Sequence, residues 1–296
     1  MTSKEYDALL QQLKKRPSSA HLSVQEIRAG FEKLLATFPP EPDVEFESFF
    51  IDSIPACWAL APGASRRKVI LFFHGGGFNA GSIEGHRDLM GRISRTSGCT
   101  VLAIAYRLAP EYPFPAALED ALKGYQWLLD HSYSPSNIVF AGISAGGGLA
   151  LSLCLKLKDQ HLSEPAAVIC ICPTVDLTFS SDSIKRNEEK DWIRIDRIDF
   201  AARNYYRGQD PTNPLISPLY GNLSGLPPLL IQVGSSEMLR DEAVAIAEKA
   251  KESGVSVSLE EWPEMIHCWH FFASKIPEGR EAIDHIGKFL RKTLKT

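Results

Sequence analysis

The 296-residue sequence lacks any run of about 18 apolar residues, so we expect no membrane-spanning helix. Its first stretch, MTSKEYDALLQQLKKR, also lacks the apolar core of a signal peptide, and we therefore expect a cytoplasmic protein. Positive charge is not in excess either, because 36 acidic residues outnumber 32 basic ones and leave a net charge of −4. This balance gives no electrostatic basis for binding nucleic acid or an anionic membrane.

Paired cysteines and phosphate-binding motifs are absent as well. The six cysteines are scattered through mostly apolar stretches and form no C-x-x-C pair. We interpret them as buried free thiols, and expect neither disulfides nor a metal site. No G-x-G-x-x-G or G-K-[ST] pattern is present, and we expect no cofactor.

Short apolar runs dominate the central part of the chain. VILFF, VLAIA, IVFAG and VICIC show no polar alternation, which is typical of parallel strands buried on both faces. Helical stretches separate them, so the fold class is α/β, with a mostly parallel central sheet flanked by helices. We predict edge strands within 43–60, core strands near 69–74, 99–106, 137–142, 167–173, 228–233 and 255–261, and helices near 86–97, 115–131, 145–159, 239–253 and 279–293.

Two segments stand outside this alternation. Residues 1–42, the N-terminal arm, contain two amphipathic patterns, 3–16 and 23–38, separated by Pro17. We assign this arm to an N-terminal cap. We assign the remaining residues, 43–296, to a single α/β domain. Within it, about 177–226 is rich in charge and too long for a structureless loop, which indicates an inserted lid that packs with the N-terminal arm.

The stretch FAGISAGGG places Ser144 at the centre of a G-x-S-x-G pentapeptide between a predicted strand and a predicted helix. The flanking glycines permit the sharp turn that exposes a nucleophilic hydroxyl. A passive serine in a tight turn is the alternative. The strand before and the helix after favour the nucleophile.

A glycine-rich loop, HGGGF at 74–78, follows the first core strand. Glycines let backbone N–H groups approach a substrate carbonyl and stabilise the oxyanion that develops on it. Together with Ser144, this loop indicates acyl transfer by a protein of the α/β-hydrolase fold. His74 precedes the loop and is interpreted as structural.

In that fold the order along the chain is serine, acid, histidine. Three histidines follow the last two predicted strands. We expect His267 to lie in a loop that reaches the end of the sheet where Ser144 lies. We expect His270 to support the next helix and His285 to lie on the surface. The acid should follow the strand LLIQV. The candidates are Glu237, which is nearest to the end of that strand, and Asp241 and Glu242, which fall where a helix begins and could simply cap it. We favour Glu237, with Asp241 as the main alternative.

These segments together resemble the hormone-sensitive-lipase-like family of carboxylesterases, from about residue 45 onward. HGGGF, YRLAPEYPFPAALED, GISAGGGLA, SPLYGNLSGLPPLLIQVGSSEMLRDE and EMIHCWHFF are similar to its motifs. The resemblance implies a nucleophile at Ser144, a base at His267 and an acid at Glu237. It also implies oxyanion donors on Gly76, Gly77 and Ala145, and a pocket for short acyl chains.

Two residues depart from the family pattern. Ile143 replaces the usual Asp or Thr before the nucleophile, and Glu237 replaces the commoner Asp. We expect Ile143 and Phe78 to contact the substrate as apolar walls. Neither departure removes a chemical group that ester hydrolysis requires.

The sequence therefore predicts a serine carboxylesterase that acts on a small-molecule ester. An amidase or lactonase using the same side chains is the alternative, as is a non-catalytic small-molecule receptor, although the presence of His267 disfavours the receptor. The alternating strand VSVSLEE near 255–261 should lie at the edge of the sheet, and we expect a homodimer formed through it.

Overall fold

The structure is a computed structural model that describes residues 2–15 and 22–294. Its eight strands are β1 (Glu45–Ile51), β2 (Ile54–Leu60), β3 (Ser65–Phe73), β4 (Cys99–Ile104), β5 (Ile138–Ile143), β6 (Ala167–Ile171), β7 (Leu229–Gly234) and β8 (Val257–Trp262). They form one sheet in the order β1-β2-β4-β3-β5-β6-β7-β8. Strand β2 is antiparallel to both its neighbours, whereas β3 to β8 are mutually parallel. The predicted α/β class is confirmed.

Two helical layers cover the sheet, because each core strand is apolar on both faces. In β3, for example, Leu71 faces one layer and Phe72 the other, and both side chains are fully buried. The longer helices are α1 (Lys4–Lys14), α2 (Val24–Leu35), α3 (Arg87–Ser97), α4 (Ala116–Asp130), α5 (Ala145–Asp159), α8 (Arg240–Glu252) and α9 (Pro277–Thr293). The first layer contains α4, α5 and α8, and the second contains α1, α3 and α9.

The predicted N-terminal arm forms α1 and α2. Ser23 and Glu26 cap α2 reciprocally, since each side chain accepts the backbone N–H of the other residue. Tyr6 of α1 is buried against the second layer, and its hydroxyl donates to the carbonyl oxygen of Glu264 at 2.6 Å. The break predicted at Pro17 lies outside the described residues.

The charged stretch after β6 contains two helices, α6 (Ser183–Arg186) and α7 (Ile195–Tyr206). Trp192, between them, packs against the same apolar cluster as Phe31 of α2. The insertion and the arm thus meet at the end of the sheet where the parallel strands terminate. Among the described residues, no helix combines the length and the apolarity that a bilayer crossing demands.

Candidate active site

Ser144 sits at the turn between β5 and α5, with φ 56° and ψ −123°. This strained conformation lets strand and helix approach closely, and only glycine fits around it. A Cβ atom on Gly146 would lie 2.1 Å from the carbonyl oxygen of Phe73, and one on Gly142 would lie 2.1 Å from that of Gly146. The packing holds the hydroxyl of Ser144 above the end of the sheet.

Three side chains form a continuous line from this hydroxyl. Ser144 Oγ lies 2.9 Å from Nε2 of His267, and Nδ1 of His267 lies 2.8 Å from Oε2 of Glu237. His267 follows β8, and Glu237 follows β7. The parallel strands end at one edge of the sheet, which brings together side chains that are far apart in the sequence.

Glu237 is fully buried, and both of its carboxylate oxygens have partners. Oε1 accepts the backbone N–H of Gly234 at 2.6 Å, while Oε2 accepts from His267. Asp241, the alternative acid, does not reach His267. Its carboxylate instead accepts hydrogen bonds from Arg186, Arg240 and the backbone N–H of Ser183.

The environment of His267 changes how readily it is protonated. Burial lowers its pKa, but Cys268 and the carboxylate of Glu237 raise it, and the pKa ends well above the ordinary histidine value. His270 points elsewhere: its Nε2 lies 2.9 Å from Oε1 of Gln232, and burial lowers its pKa to about 3. His285 on α9 is half-buried and pairs with Glu260.

The glycine loop after β3 lies beside Ser144. Gly76 has φ +121° and Gly77 has φ +64°, and a Cβ atom on Gly76 would lie 2.2 Å from the carbonyl oxygen of Ala80. Within the described residues, the N–H groups of Gly76, Gly77 and Ala145 donate to no other part of the chain. These donors are therefore free to bind a ligand oxygen.

Two buried histidines support this loop. Burial, together with the nearby His74, lowers the pKa of His86 to about 3, so His86 is neutral. Its Nδ1 donates to the carbonyl oxygen of Ser82, and its Nε2 accepts the N–H of Gly75 at 3.0 Å. His74 stacks on Tyr106 with ring centroids 4.1 Å apart, in agreement with its predicted structural role.

The N-terminal arm also holds the loop. Arg28 of α2 donates to the carbonyl oxygens of Asn79 and Ala109, at 2.7 and 3.0 Å, and forms an ion pair with Glu111. From the other side, Asn79 donates to the carbonyl oxygen of Ala201 in α7. The loop is thus fixed between the arm and the insertion.

Ser144, His267 and the glycine loop line a cavity of about 920 Å³. That volume lies near the upper end of the range of about 300–1,000 Å³ for small-molecule sites. Side chains of the arm and the insertion close it from above, including Leu13, Ile27, Phe31, Trp192, Ile193 and Ile198.

Of the two predicted substrate contacts, one lies in the cavity and the other does not. Phe78 lines the cavity and stacks on Tyr205 of α7 with centroids 3.7 Å apart. Ile143 is absent from the lining that the described residues form, which corrects the prediction. It is the last residue of β5, and its side chain points into the layer of α3 and α9, beneath the turn that carries Ser144.

The insertion contributes residues that sequence reasoning missed. Asp191 is buried, and its carboxylate accepts the backbone N–H groups of His267 at 3.0 Å and Met238 at 2.9 Å. Trp192 donates from Nε1 to the carbonyl oxygen of His267 at 2.6 Å. Asn187 donates to the carbonyl oxygen of Glu237 at 2.8 Å. The only sequence signal was an acidic residue followed by an aromatic one within a charged stretch.

The chain is similar to known proteins in sequence. A family model described as the α/β-hydrolase fold matches residues 70–271. An acetyl-hydrolase of Streptomyces hygroscopicus is 44% identical over 234 residues, which is 78% of each chain.

Solved structures agree along almost the entire chain. One is an esterase from the bacterial hormone-sensitive lipase family, with 40% identity, a TM-score of 0.95 and 99% of both chains covered. Another is EstE5 soaked with p-nitrophenyl butyrate, with 40% identity and a TM-score of 0.96, covering 99% of this chain and 100% of that one.

Proposed function

The chain belongs to the hormone-sensitive-lipase-like family of α/β-hydrolases and is an ester hydrolase, and from that premise we propose that it is a serine carboxylesterase for short acyl chains. The observation that carries this proposal is the unbroken line from Ser144 through His267 to Glu237, at 2.9 and 2.8 Å. Ser144 and His267 line the cavity, and the unpaired N–H groups of the glycine loop lie beside them.

The first half of the reaction forms an acyl-enzyme. Ser144 Oγ attacks the ester carbonyl carbon while Nε2 of His267 takes the hydroxyl proton. The buried carboxylate of Glu237 accepts from Nδ1, which fixes the tautomer and stabilises the imidazolium that forms. The N–H groups of Gly76, Gly77 and Ala145 donate to the negative oxygen of the tetrahedral intermediate. His267 then passes its proton to the departing alcohol.

The second half restores the enzyme. Water enters the cavity, His267 removes a proton from it, and the resulting nucleophile attacks the acyl carbonyl. The same N–H groups stabilise the second oxyanion. Collapse of this intermediate returns the proton to Ser144 and releases the carboxylic acid.

Residues 1–42 and the insertion at about 177–226 act together as the cap in this proposal. Both segments line the cavity above Ser144, which limits the length of acyl chain that fits. We therefore assign C2 to C8 esters as substrates, with turnover falling for longer chains.

The test measures hydrolysis of nitrophenyl esters from acetate to palmitate, below their aggregation limits. Ser144→Ala should lower kcat by on the order of 10⁴-fold or more, because it removes the atom that forms the acyl-enzyme. Ser152→Ala, on the same helix α5, is the matched control and should keep wild-type activity. A Ser144→Ala rate within tenfold of wild type would reject the nucleophile, and faster turnover of C16 than C4 esters would reject the chain length. Matched anilide substrates separate an esterase from an amidase.

A further inference from the structure

Two cysteines lie against the histidine of the active site. Cys172 follows β6 directly, and Cys268 follows His267 in the chain. The backbone N–H of Cys268 lies 3.3 Å from Sγ of Cys172. Both sulfur atoms and a ring nitrogen of His267 lie within 4.8 Å of one another, and all three side chains are buried. Within residues 2–15 and 22–294, no other group of His, Cys, Asp and Glu meets this spacing.

We propose that Cys172, Cys268 and His267 bind a thiophilic divalent cation of the Zn²⁺ type, and that its binding inhibits the enzyme. Two sulfurs and one imidazole nitrogen are a donor set that such ions prefer to oxygen ligands. The ion acts here as an inhibitor and takes no part in hydrolysis.

The distances suit a tetrahedral ion after a small movement. Bonds of about 2.3 Å to sulfur and 2.0 Å to nitrogen require the ligand atoms to be roughly 3.5–3.8 Å apart. The present separations are within 4.8 Å, so each pair of ligand atoms needs to approach by about 1.3 Å at most. Both thiols lose their protons to solvent as the bonds form, and the two thiolates then balance the charge of the dication.

The cavity supplies the route to this site. His267 and Cys268 both line it, whereas Cys172 lies just behind them in the core. An ion that enters beside Ser144 therefore meets two of its ligands at the cavity wall. A water molecule from the cavity completes the fourth position.

Inhibition follows from the hydrogen bonds of His267. Its Nε2 is engaged with Ser144 and its Nδ1 with Glu237, so a metal bond to either nitrogen breaks one of the two contacts. This part of the proposal depends on the proposed function, because it assumes that His267 is the base. The binding of the ion itself does not.

Binding is tested without any substrate. Equilibrium dialysis against Zn²⁺ should give one ion per chain, and Co²⁺ should produce a thiolate-to-metal charge-transfer band in the ultraviolet. Cys172→Ala and Cys268→Ala should each weaken binding by more than about 100-fold, which exceeds the effect of losing a residue that only supports a ligand. Cys172→Ser serves if the alanine variant folds poorly by circular dichroism.

Cys170→Ala is the matched control. Cys170 is also buried and lies two residues before Cys172, but it belongs to the opposite face of the sheet, with Sγ near the carbonyl oxygen of Gly147. The Cys170→Ala variant should bind Zn²⁺ and Co²⁺ as the wild type does. Equal binding by all the cysteine variants, or a Co²⁺ spectrum without the charge-transfer band, would overturn the proposal.

Activity supplies the second measurement. Zn²⁺ should inhibit ester hydrolysis, EDTA should restore it, and the Cys172→Ala variant should resist inhibition by more than about 100-fold in Zn²⁺ concentration. Ser144→Ala should be inactive yet bind the ion normally, so an error in the nucleophile and an error in the metal site give different results. Inhibition that is unchanged in Cys172→Ala would overturn the inhibitory role.

Discussion

The carboxylate of Asp191 accepts the backbone N–H of His267 at 3.0 Å, so the insertion holds the loop that carries the histidine. The same carboxylate accepts the N–H of Met238, the residue after Glu237. One buried side chain thus connects the two loops that carry Glu237 and His267. Burial raises the pKa of Asp191 to about 6, against the lowering effect of His267.

Replacing Asp191 with alanine should lower kcat by about 10–100-fold with a smaller change in KM, since a displacement of about 1 Å in a catalytic group costs up to about 10²-fold. The variant leaves two buried N–H groups without an acceptor, so its Tm should fall as well. Asp191→Asn keeps one acceptor oxygen and should retain more activity. Asp199→Ala, which removes only a surface partner of Arg203, should match wild type. Equal kcat values for the Asp191→Ala and Asp199→Ala variants would show that Asp191 does not position the base.

The two candidate acids can be distinguished by a pair of variants. Glu237→Ala should lower kcat by several orders of magnitude, because it removes the partner of His267 Nδ1. Asp241→Ala loses contacts with Arg186 and Arg240 and should affect stability more than rate. Glu237→Asp should keep partial activity, since the carboxylate remains one methylene farther from the ring. Greater damage to kcat in Asp241→Ala than in Glu237→Ala would make our acid wrong.

The pH dependence follows from the raised pKa of His267. The imidazole must be neutral to take the proton of Ser144, so kcat/KM should rise with pH through an inflection above the ordinary histidine value of about 6.5. Glu237→Gln removes the negative charge that favours the imidazolium. Its inflection should therefore move to lower pH while the maximum rate falls. An inflection at the same pH in both proteins would contradict this electrostatic account.

Strand β8 ends the sheet, in agreement with its predicted position at an edge. The N–H of Leu229 donates to the carbonyl oxygen of Ser256, and the N–H of Ser235 donates to that of Trp262. The backbone N–H and C=O groups of the even-numbered residues along β8 therefore point toward β7. The N–H of Val257 therefore points away from the sheet and is available to a second copy.

We expect a homodimer paired through this edge. Sedimentation at micromolar concentration should show twice the chain mass of 32.8 kDa. Val257→Pro removes the outward donor and should dissociate the dimer, whereas Val257→Ala keeps the donor and should not. A wild-type protein that sediments as a single species of one chain would reject the dimer.

Much of this architecture was predictable because its signals are local. Buried strands appear as short apolar runs, and the turn at Ser144 requires glycines at fixed neighbouring positions. The element boundaries differ from the prediction by only a few residues; for example, the last strand begins at Val257 and not at 255. The cap and the roles of the active-site residues stay predictions until the variants are measured.

What the sequence did not indicate depends on contacts between distant segments. Asp191 lies in a charged stretch that resembles a solvated surface, and only the placement of the insertion buries its carboxylate. Cys172 and Cys268 are 96 positions apart and meet because their strands end at the same edge. Ile143 shows the reverse error, since proximity to Ser144 in sequence suggested the cavity, while strand alternation turns its side chain away.

The hydrogen bonds from Arg28 to the glycine loop limit how the entrance of the cavity can be redesigned. The arm contributes none of the proposed reacting groups, because all of them lie after it in the chain, and it could be mistaken for a dispensable segment. Yet Arg28 donates to the carbonyl oxygens of Asn79 and Ala109, and Asn79 lies two residues after Gly77, one of the proposed oxyanion donors. Deleting the arm to admit larger molecules would therefore widen the cavity but also remove the contacts that fix the glycine loop. A substitution at the rim, such as at the exposed Leu22, widens the entrance and leaves the hydrogen bonds of Arg28 intact.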